Sequence, residues 1–251
     1  MKKMILFALL AAACPLAALE FESSDSAKSQ PAPSQSATAT VPQLIDAGDV
    51  PTAYGLLKYE MRADIRFYPG GGILNKLYLG IFPRFFIGGG LNVPSLVNAG
   101  PVSLNREDAS LMARLVVIQE DDSSPAVALG YDGPAYAGGE LRGIYLSASK
   151  EIRSPLGFFQ AHAGLNSSYF DNGWTAGQNL RGFGALTTSF RQVTGFFEAD
   201  EINNAAGPRY NGGARVYFDP ISLGLEFHDV GATRPGIQSS RMLRVSYVGL
   251  F

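Results

Sequence analysis

The stretch RMLRVSYVGLF, residues 241–251, decides how the rest of the chain is read. Side chains of an extended strand point alternately to opposite faces, which puts Leu243, Val245, Tyr247, Gly249 and Phe251 on one side and Arg244 and Ser246 on the other. One face suits hydrocarbon and the other a polar interior, as in a strand with lipid on one side. Tyr247 and the terminal Phe251 are the candidate membrane-insertion signal. The competing reading is an ordinary soluble strand at the end of a chain.

The opposite end points the same way. Lys2 and Lys3 precede an apolar run over residues 4–13 and then small residues, the layout of a secretory signal peptide over residues 1–18. The run falls short of the ~20 residues that a membrane-spanning helix needs. Cleavage after Ala18 competes with lipid attachment at Cys14; Ala11 stands where a lipidation motif usually has leucine, and Pro15 follows the cysteine, so cleavage is favoured. No cysteine follows Cys14, which excludes disulfides and thiolate chemistry in the exported domain. Residues 19–40 are rich in Ser, Ala, Pro and Gln and read as a disordered periplasmic leader. The net charge of −2 excludes a nucleic-acid binder by composition, and the 46% hydrophobic content is spread by alternation rather than gathered into spans.

Alternation dominates from residue 41 onward. In residues 56–67 (LLKYEMRADIRF), Leu57, Tyr59, Met61, Ala63, Ile65 and Phe67 alternate with Lys58, Glu60, Arg62, Asp64 and Arg66. Leu77, Leu79, Ile81 and Phe85 alternate with residues that include Tyr78 and Arg84. Leu111, Ala113, Leu115 and Val117 alternate with Met112 and Arg114, and Ile221, Leu223, Leu225 and Phe227 with Ser222, Glu226 and His228.

The connections are alternately short and long. The short ones lie at residues 68–72, 120–124, 152–155, 191–192 and 219–220, the long ones at 90–107, 132–140, 166–179, 201–208 and 229–240. Short turns on the periplasmic side and long loops outside are the arrangement of an antiparallel up-and-down transmembrane β-barrel in the bacterial outer membrane, here over residues 41–251. The expected strands lie at about residues 55–67, 75–89, 109–119, 125–131, 142–150, 156–165, 181–190, 193–200, 209–218, 221–228 and 240–251. Counting back from a periplasmic Phe251 makes the strand at 56–67 run downward and demands an upward partner before it, for which residues 41–47 (VPQLIDA) are the candidate. The count is then about twelve, an even number, or ten if two weaker segments are loop.

The inward faces assemble the candidate lumen-lining residues Lys58, Glu60, Arg62, Asp64, Arg66, Arg84, Arg114, His162, Glu198, Asp200, Arg215, Glu226, His228 and Arg244. They form either a narrow, arginine-lined path that selects anionic solutes or holds a glycan, as in a barrel that supports envelope or exopolysaccharide export or acts as a solute pore, or a network of pairs that fills a closed interior, as in a structural or adhesive surface barrel. Ser222, Glu226 and His228 on one face, His162, and Glu198 with Asp200 on another sustain a minor reading as an outer-membrane hydrolase. Nothing in the spacing establishes hydrogen-bond reach between a hydroxyl and an imidazole, and no nucleophile elbow or zinc-ligand pattern is present. The chain is expected to be no enzyme, with no cofactor and no metal. The partners implied are outer-membrane lipid, the barrel-insertion machinery, and a glycan or small anionic solute.

The run PTAYGLLKYEMRADIRFYPGGGILNKLYLGIFPRFFIGGG from Pro51, with PAVALGYDG from Pro125, GIYLSASKEI from Gly143 and FQAHAGLN from Phe159, resembles the strand vocabulary of YjbH-type outer-membrane proteins. The matching residues are Pro51, Thr52 and Ala53; those at 125–130; and Tyr145, Leu146, Ser149 and Lys150. The resemblance covers roughly residues 50–200 and the terminal strand, and YjbH-type chains are considerably longer. It implies a β-barrel and an association with exopolysaccharide production.

Overall fold

Because every second residue of these strands is polar and the rest apolar, a sheet built from them has one face for each solvent, and closing the sheet separates the two. The computed structural model describes residues 43–97, 109–133, 143–154, 157–167, 180–204, 207–231 and 238–251. The expected signal peptide (1–18), Cys14, the leader (19–40) and much of the long connections lie outside the described residues. Residues 41–250 form one compact unit.

Twelve strands follow in order: β1 (Glu60–Tyr68), β2 (Gly72–Phe82), β3 (Phe85–Val93), β4 (Ala109–Ile118), β5 (Ala126–Asp132), β6 (Gly143–Ser154), β7 (Gly157–Ser167), β8 (Leu180–Phe190), β9 (Val193–Asp200), β10 (Arg209–Tyr217), β11 (Ile221–His228) and β12 (Ser240–Leu250). Each pairs with its sequence neighbours, and β1 pairs antiparallel with β12, from Glu60 opposite Leu250 to Phe67 opposite Leu243, closing the barrel. Nine residues rise about 30 Å along a strand, which a tilt of about 40° reduces to about 23 Å along the barrel axis, close to the ~25 Å apolar band of such barrels.

The outer face is apolar. Leu77, Leu111, Leu115, Leu129, Leu146, Leu186, Leu225 and Leu243 are all exposed on it. Aromatics gather at the short-turn end, where Phe82, Phe158, Phe190 and Phe218 are exposed, with Phe67, Phe197 and Phe227 toward the long-loop end. Inside, Arg62, Asp64, Arg66, Arg114, Glu198, Arg215, Glu226 and Arg244 are buried. A soluble sandwich would reverse both assignments.

The strand count agrees with expectation, but two of its parts differ. Residues 75–89 are not one strand: the chain turns at Pro83 and Arg84, with Arg84 at φ 71°, and Phe82 pairs with Phe85 across the turn. Proline and a residue in the left-handed region stop the ladder. Of the segment expected at residues 41–47, the described residues 43–47 supply no strand of the barrel; Leu44 to Ala47 are buried within it. One division and one deletion leave twelve. They also reverse β1, which starts at the short-turn end beside the end of β12 and runs toward the loops. The turn at residues 69–71 therefore lies among the long loops, an exception to the short-long alternation.

Candidate functional site

Twelve strands about 4.8 Å apart and tilted by about 40° enclose a backbone radius of about 12 Å. Inward side chains reach roughly half that distance, so side chains alone leave an axial gap about as wide as two extended chains. The chain fills it with its own N-terminal segment.

Residues 44–56 enter the lumen, turn at Gly48–Asp49 and return to the start of β1. The Ala47 amide donates to Val50 O at 2.9 Å and the Thr52 amide to Ile45 O at 2.9 Å, an antiparallel pairing continued by the Asp46–Pro51 bridge. The Thr52 hydroxyl lies 2.6 Å from Leu44 O and 2.8 Å from Ile45 O and pins the returning arm to the entering one. Gln43 and Leu57 are exposed and everything from Leu44 to Tyr54 is buried. The returning arm leaves across β2, where the Tyr59 amide donates to Gly80 O at 2.8 Å and a Cβ on Gly80 would lie 1.9 Å from Leu57 O.

Three apolar clusters join hairpin to wall. Ala47 and Val50 pack with Tyr145, Phe183, Ala185 and Phe196; Ile45 and Leu56 with Tyr78, Phe86 and Met112; Ala53 and Tyr54 with Val116, Ala126 and Ala128. Burying Ile45, Val50 or Leu56 contributes about 1.5–3 kcal/mol each.

The polar contacts are more specific. At the tip the Glu198 carboxylate accepts from the Gly48 amide at 2.8 Å, the Asp49 amide at 2.8 Å, the Val50 amide at 3.1 Å and Asn211 Nδ2 at 2.8 Å. Glycine at 48 makes room for this, since a Cβ there would stand 2.7 Å from Glu198 Oε1. The hairpin carbonyls meet guanidinium groups. Arg114 donates to Ile45 O at 2.8 Å, Tyr54 O at 2.9 Å and the Asp46 carboxylate at 2.9 Å. Arg215 donates to Asp46 O at 3.0 Å and to Ala47 O, and Arg66 to Gly48 O and the Asp49 carboxylate. Arg244 reaches Gly48 O at 3.5 Å and pairs with Asp64 and with Glu226.

The buried carboxylates of the hairpin are met by cations of the wall. Burial pushes the Asp49 carboxyl up, but His228, 3.2 Å away, and Arg66 overcome it and hold the group well below the usual carboxylate range. Asp46 is likewise lowered, with Arg114, Lys76 and Arg244 outweighing burial. At the short-turn end burial and the Glu120 carboxylate raise the Tyr54 phenol, keeping it a donor to Glu120 at 2.9 Å.

The structure gathers most of the residues expected in the lumen and separates three from it. Arg62, Asp64, Arg66, Arg114, His162, Glu198, Asp200, Arg215, Glu226, His228 and Arg244 are buried inside. Lys58 is exposed beyond the short-turn end, and Arg84 sits on the turn between β2 and β3, bonding Gln119 at 2.8 Å. Both leave the lumen because neither lies within a strand. Glu60, the first residue of β1, stands at the rim and accepts from the Leu57 amide at 2.8 Å. Tyr247 is on the outer face of β12, and Phe251 follows the strand, exposed.

The residues weighed for hydrolysis are engaged otherwise. His228 has carboxylates beside both ring nitrogens, Asp49 at 3.2 Å and Glu226 at 3.3 Å. His162 Nδ1 lies 2.8 Å from Ser149 Oγ, but that oxygen also accepts the Ala53 amide at 2.7 Å and is covered by the hairpin. Asp49, Glu198 and Asp200 have metal-ligand spacing, yet Arg66, His228 and the tip amides already occupy the first two carboxylates.

The sequence reading missed Asp46, Gly48, Asp49, Thr52, Tyr145, Ser149 and Asn211. The turn-forming Gly48–Asp49 pair beside Pro51 was the available signal, since such a pair marks a reversal rather than a strand.

No family model and no curated protein matches the chain. Among solved structures it is similar to a mutant of the Rh. blastica porin, with 10% identity, a TM-score of 0.33, and coverage of 71% of this chain and 55% of the porin chain. This chain thus spans about half the length of that porin.

Proposed function

We propose that the chain is an integral bacterial outer-membrane β-barrel, non-enzymatic, whose lumen is closed at rest by its own N-terminal hairpin. The observation that carries this reading is the hairpin, whose carbonyls and carboxylates engage Arg66, Arg114 and Arg215, the groups that would otherwise line an open path. The inverted polarity supports the membrane, because buried charge with exposed Leu and Phe suits hydrocarbon outside and a polar interior. With the short turns periplasmic, the hairpin enters from the periplasm and its tip approaches the outer third of the lumen. Pro51, Thr52 and Ala53, which carry part of the YjbH-type resemblance, lie in the returning arm. An exopolysaccharide-associated role therefore belongs to this proposal as a role of a stoppered barrel.

The test is planar-bilayer recording of the refolded full chain, with heat-modifiable gel migration as the control for folding. A folded chain that stays silent at moderate voltage agrees with closure. Steady conductance from the unmodified chain refutes it, and a chain found in the soluble periplasmic fraction refutes the membrane assignment.

A further inference from the structure

We propose that the hairpin occupies the place of an acidic ligand: the wall behind it is a binding track for solutes bearing carboxylate groups, uncovered when residues 44–56 withdraw toward the short-turn end. The inference rests on the closed-barrel reading above and adds what the lumen recognises.

The first observation is a row of like charge. Arg66 on β1 pairs directly with Arg244 on β12, Arg244 with Gly224 on β11, and Gly224 with Arg215 on β10. Three guanidinium groups thus stand in one row across four strands, and a Cβ on Gly224 would come within 3.0 Å of the Arg215 chain. Like charges directly opposite across strands are unfavourable, so the row needs anions. The wall offers it Glu226, near all three arginines, and Asp64, paired with Arg244. The hairpin supplies the remainder: the Asp49 carboxylate and the carbonyls of Asp46, Ala47 and Gly48. On another part of the wall Arg114 takes the Asp46 carboxylate and two more carbonyls.

A second observation is that two donors of this row stay unsatisfied even with the hairpin in place. Arg215 Nε and Arg244 Nε are buried with no hydrogen-bond partner. Withdrawal would leave Arg62, Arg66, Arg215 and Arg244 facing Asp64 and Glu226 in this belt, and would uncover Arg114 elsewhere on the wall and Glu198 at the tip. Planar guanidinium forks match carboxylates better than spherical ions, and the hairpin already presents one carboxylate to Arg66 and one to Arg114.

The third observation is separability. The backbone hydrogen bonds of residues 44–56 are internal to the hairpin, and its polar ties to the wall run through wall side chains such as Glu198, Arg114, Arg215 and Ser149. Both arms end at the short-turn side. Withdrawal therefore breaks no rung of the barrel.

The experiment uses the full chain with Cys14→Ser, Glu198→Ala to loosen the tip, and Ala53→Cys with Ser149→Cys as a reversible lock, since the Ala53 amide lies 2.7 Å from Ser149 Oγ. In a tenfold KCl gradient the oxidised chain is expected to be silent. After reduction it is expected to conduct with a reversal potential of chloride sign, and citrate is expected to block at concentrations at least tenfold below those at which inorganic phosphate does. Adding Arg114→Gln and Arg215→Gln abolishes the chloride preference. A second chain, with residues 44–56 replaced by a glycine-serine linker and folding shown by heat-modifiable migration, is expected to conduct in the same way. Silence of both released chains, a cation-sign or zero reversal potential, or block by phosphate equal to that by citrate overturns the proposal. Conductance of the oxidised, locked chain instead refutes the closed-barrel reading.

Discussion

Replacing Glu198 with alanine tests the tip of the hairpin in isolation. The carboxylate accepts from three consecutive amides, Gly48, Asp49 and Val50, at 2.8–3.1 Å, and from Asn211. Truncation removes the acceptor and leaves three buried N–H groups unpaired, each costing about 1–3 kcal/mol. Water entering the new space and reorientation of Asn211 recover part of this, so hairpin docking is expected to weaken by about 3–6 kcal/mol. At 1.4 kcal/mol per tenfold change, the docked-to-released ratio falls by about two to four orders of magnitude. The ladders of β9 with β8 and β10 are backbone pairings and are retained. Amide hydrogen exchange of the refolded protein reads the difference: residues 48–50 lose protection by at least a hundredfold while β8 and β10 keep theirs. Glu198→Gln keeps one acceptor oxygen without the charge, and its effect is expected to be about half as large in free energy. A change of less than tenfold in exchange at 48–50 in the alanine variant would mean that the arginines on the carbonyls hold the tip without Glu198, contrary to this expectation.

Four further outcomes are expected. Asp46 and Asp49 titrate below their ordinary range when the hairpin is docked, so their contribution is complete above the unfolded carboxyl value of about 3.9 and is lost as pH falls through the lower docked values; bilayer recordings are expected to stay silent from neutral pH to about 4, and opening with a midpoint at or above that value would contradict it. Arg114→Lys is expected to destabilise docking by about 3–5 kcal/mol, since a single ammonium cannot reproduce the fork that holds Ile45 O, Tyr54 O and Asp46 together, leaving buried acceptors; rescue by lysine in the same exchange assay would contradict that geometry. Leu186→Arg, on the exposed outer face near the middle of β8, is expected to cost about 2–4 kcal/mol in lipid, measured by urea unfolding in bilayers, whereas a water-facing position would tolerate it. Gly80→Val is expected to disturb the exit of the hairpin because its side chain would run into Leu57 O; unchanged exchange at Tyr59 would show that this close approach does not matter.

The strands were legible because each faces two different environments. Where one side is lumen and the other apolar exterior, sequence period and structural period coincide, and β1, β4, β11 and β12 follow the alternation read for them. The twelve strands were counted correctly through two compensating differences, at residues 41–47 and at Pro83–Arg84. The second was readable in principle, since proline followed by a turn residue ends a ladder. The first was not, because the hairpin is surrounded by wall on all sides. Asp46, Ala47, Asp49 and Val50 are all buried, so no alternation of polarity marks it, and its polar groups are satisfied by residues far along the chain such as Glu198 and Arg215.

Period-2 patterning is enough to make this chain an antiparallel barrel with a charged interior, because it sorts side chains between two solvents whatever the strands' partners. What occupies that interior depends on contacts between distant parts of the chain. A twelve-stranded wall is too wide for its own side chains to fill, and the hairpin that fits the remaining space is held by contacts that exist only once distant strands have been brought around it.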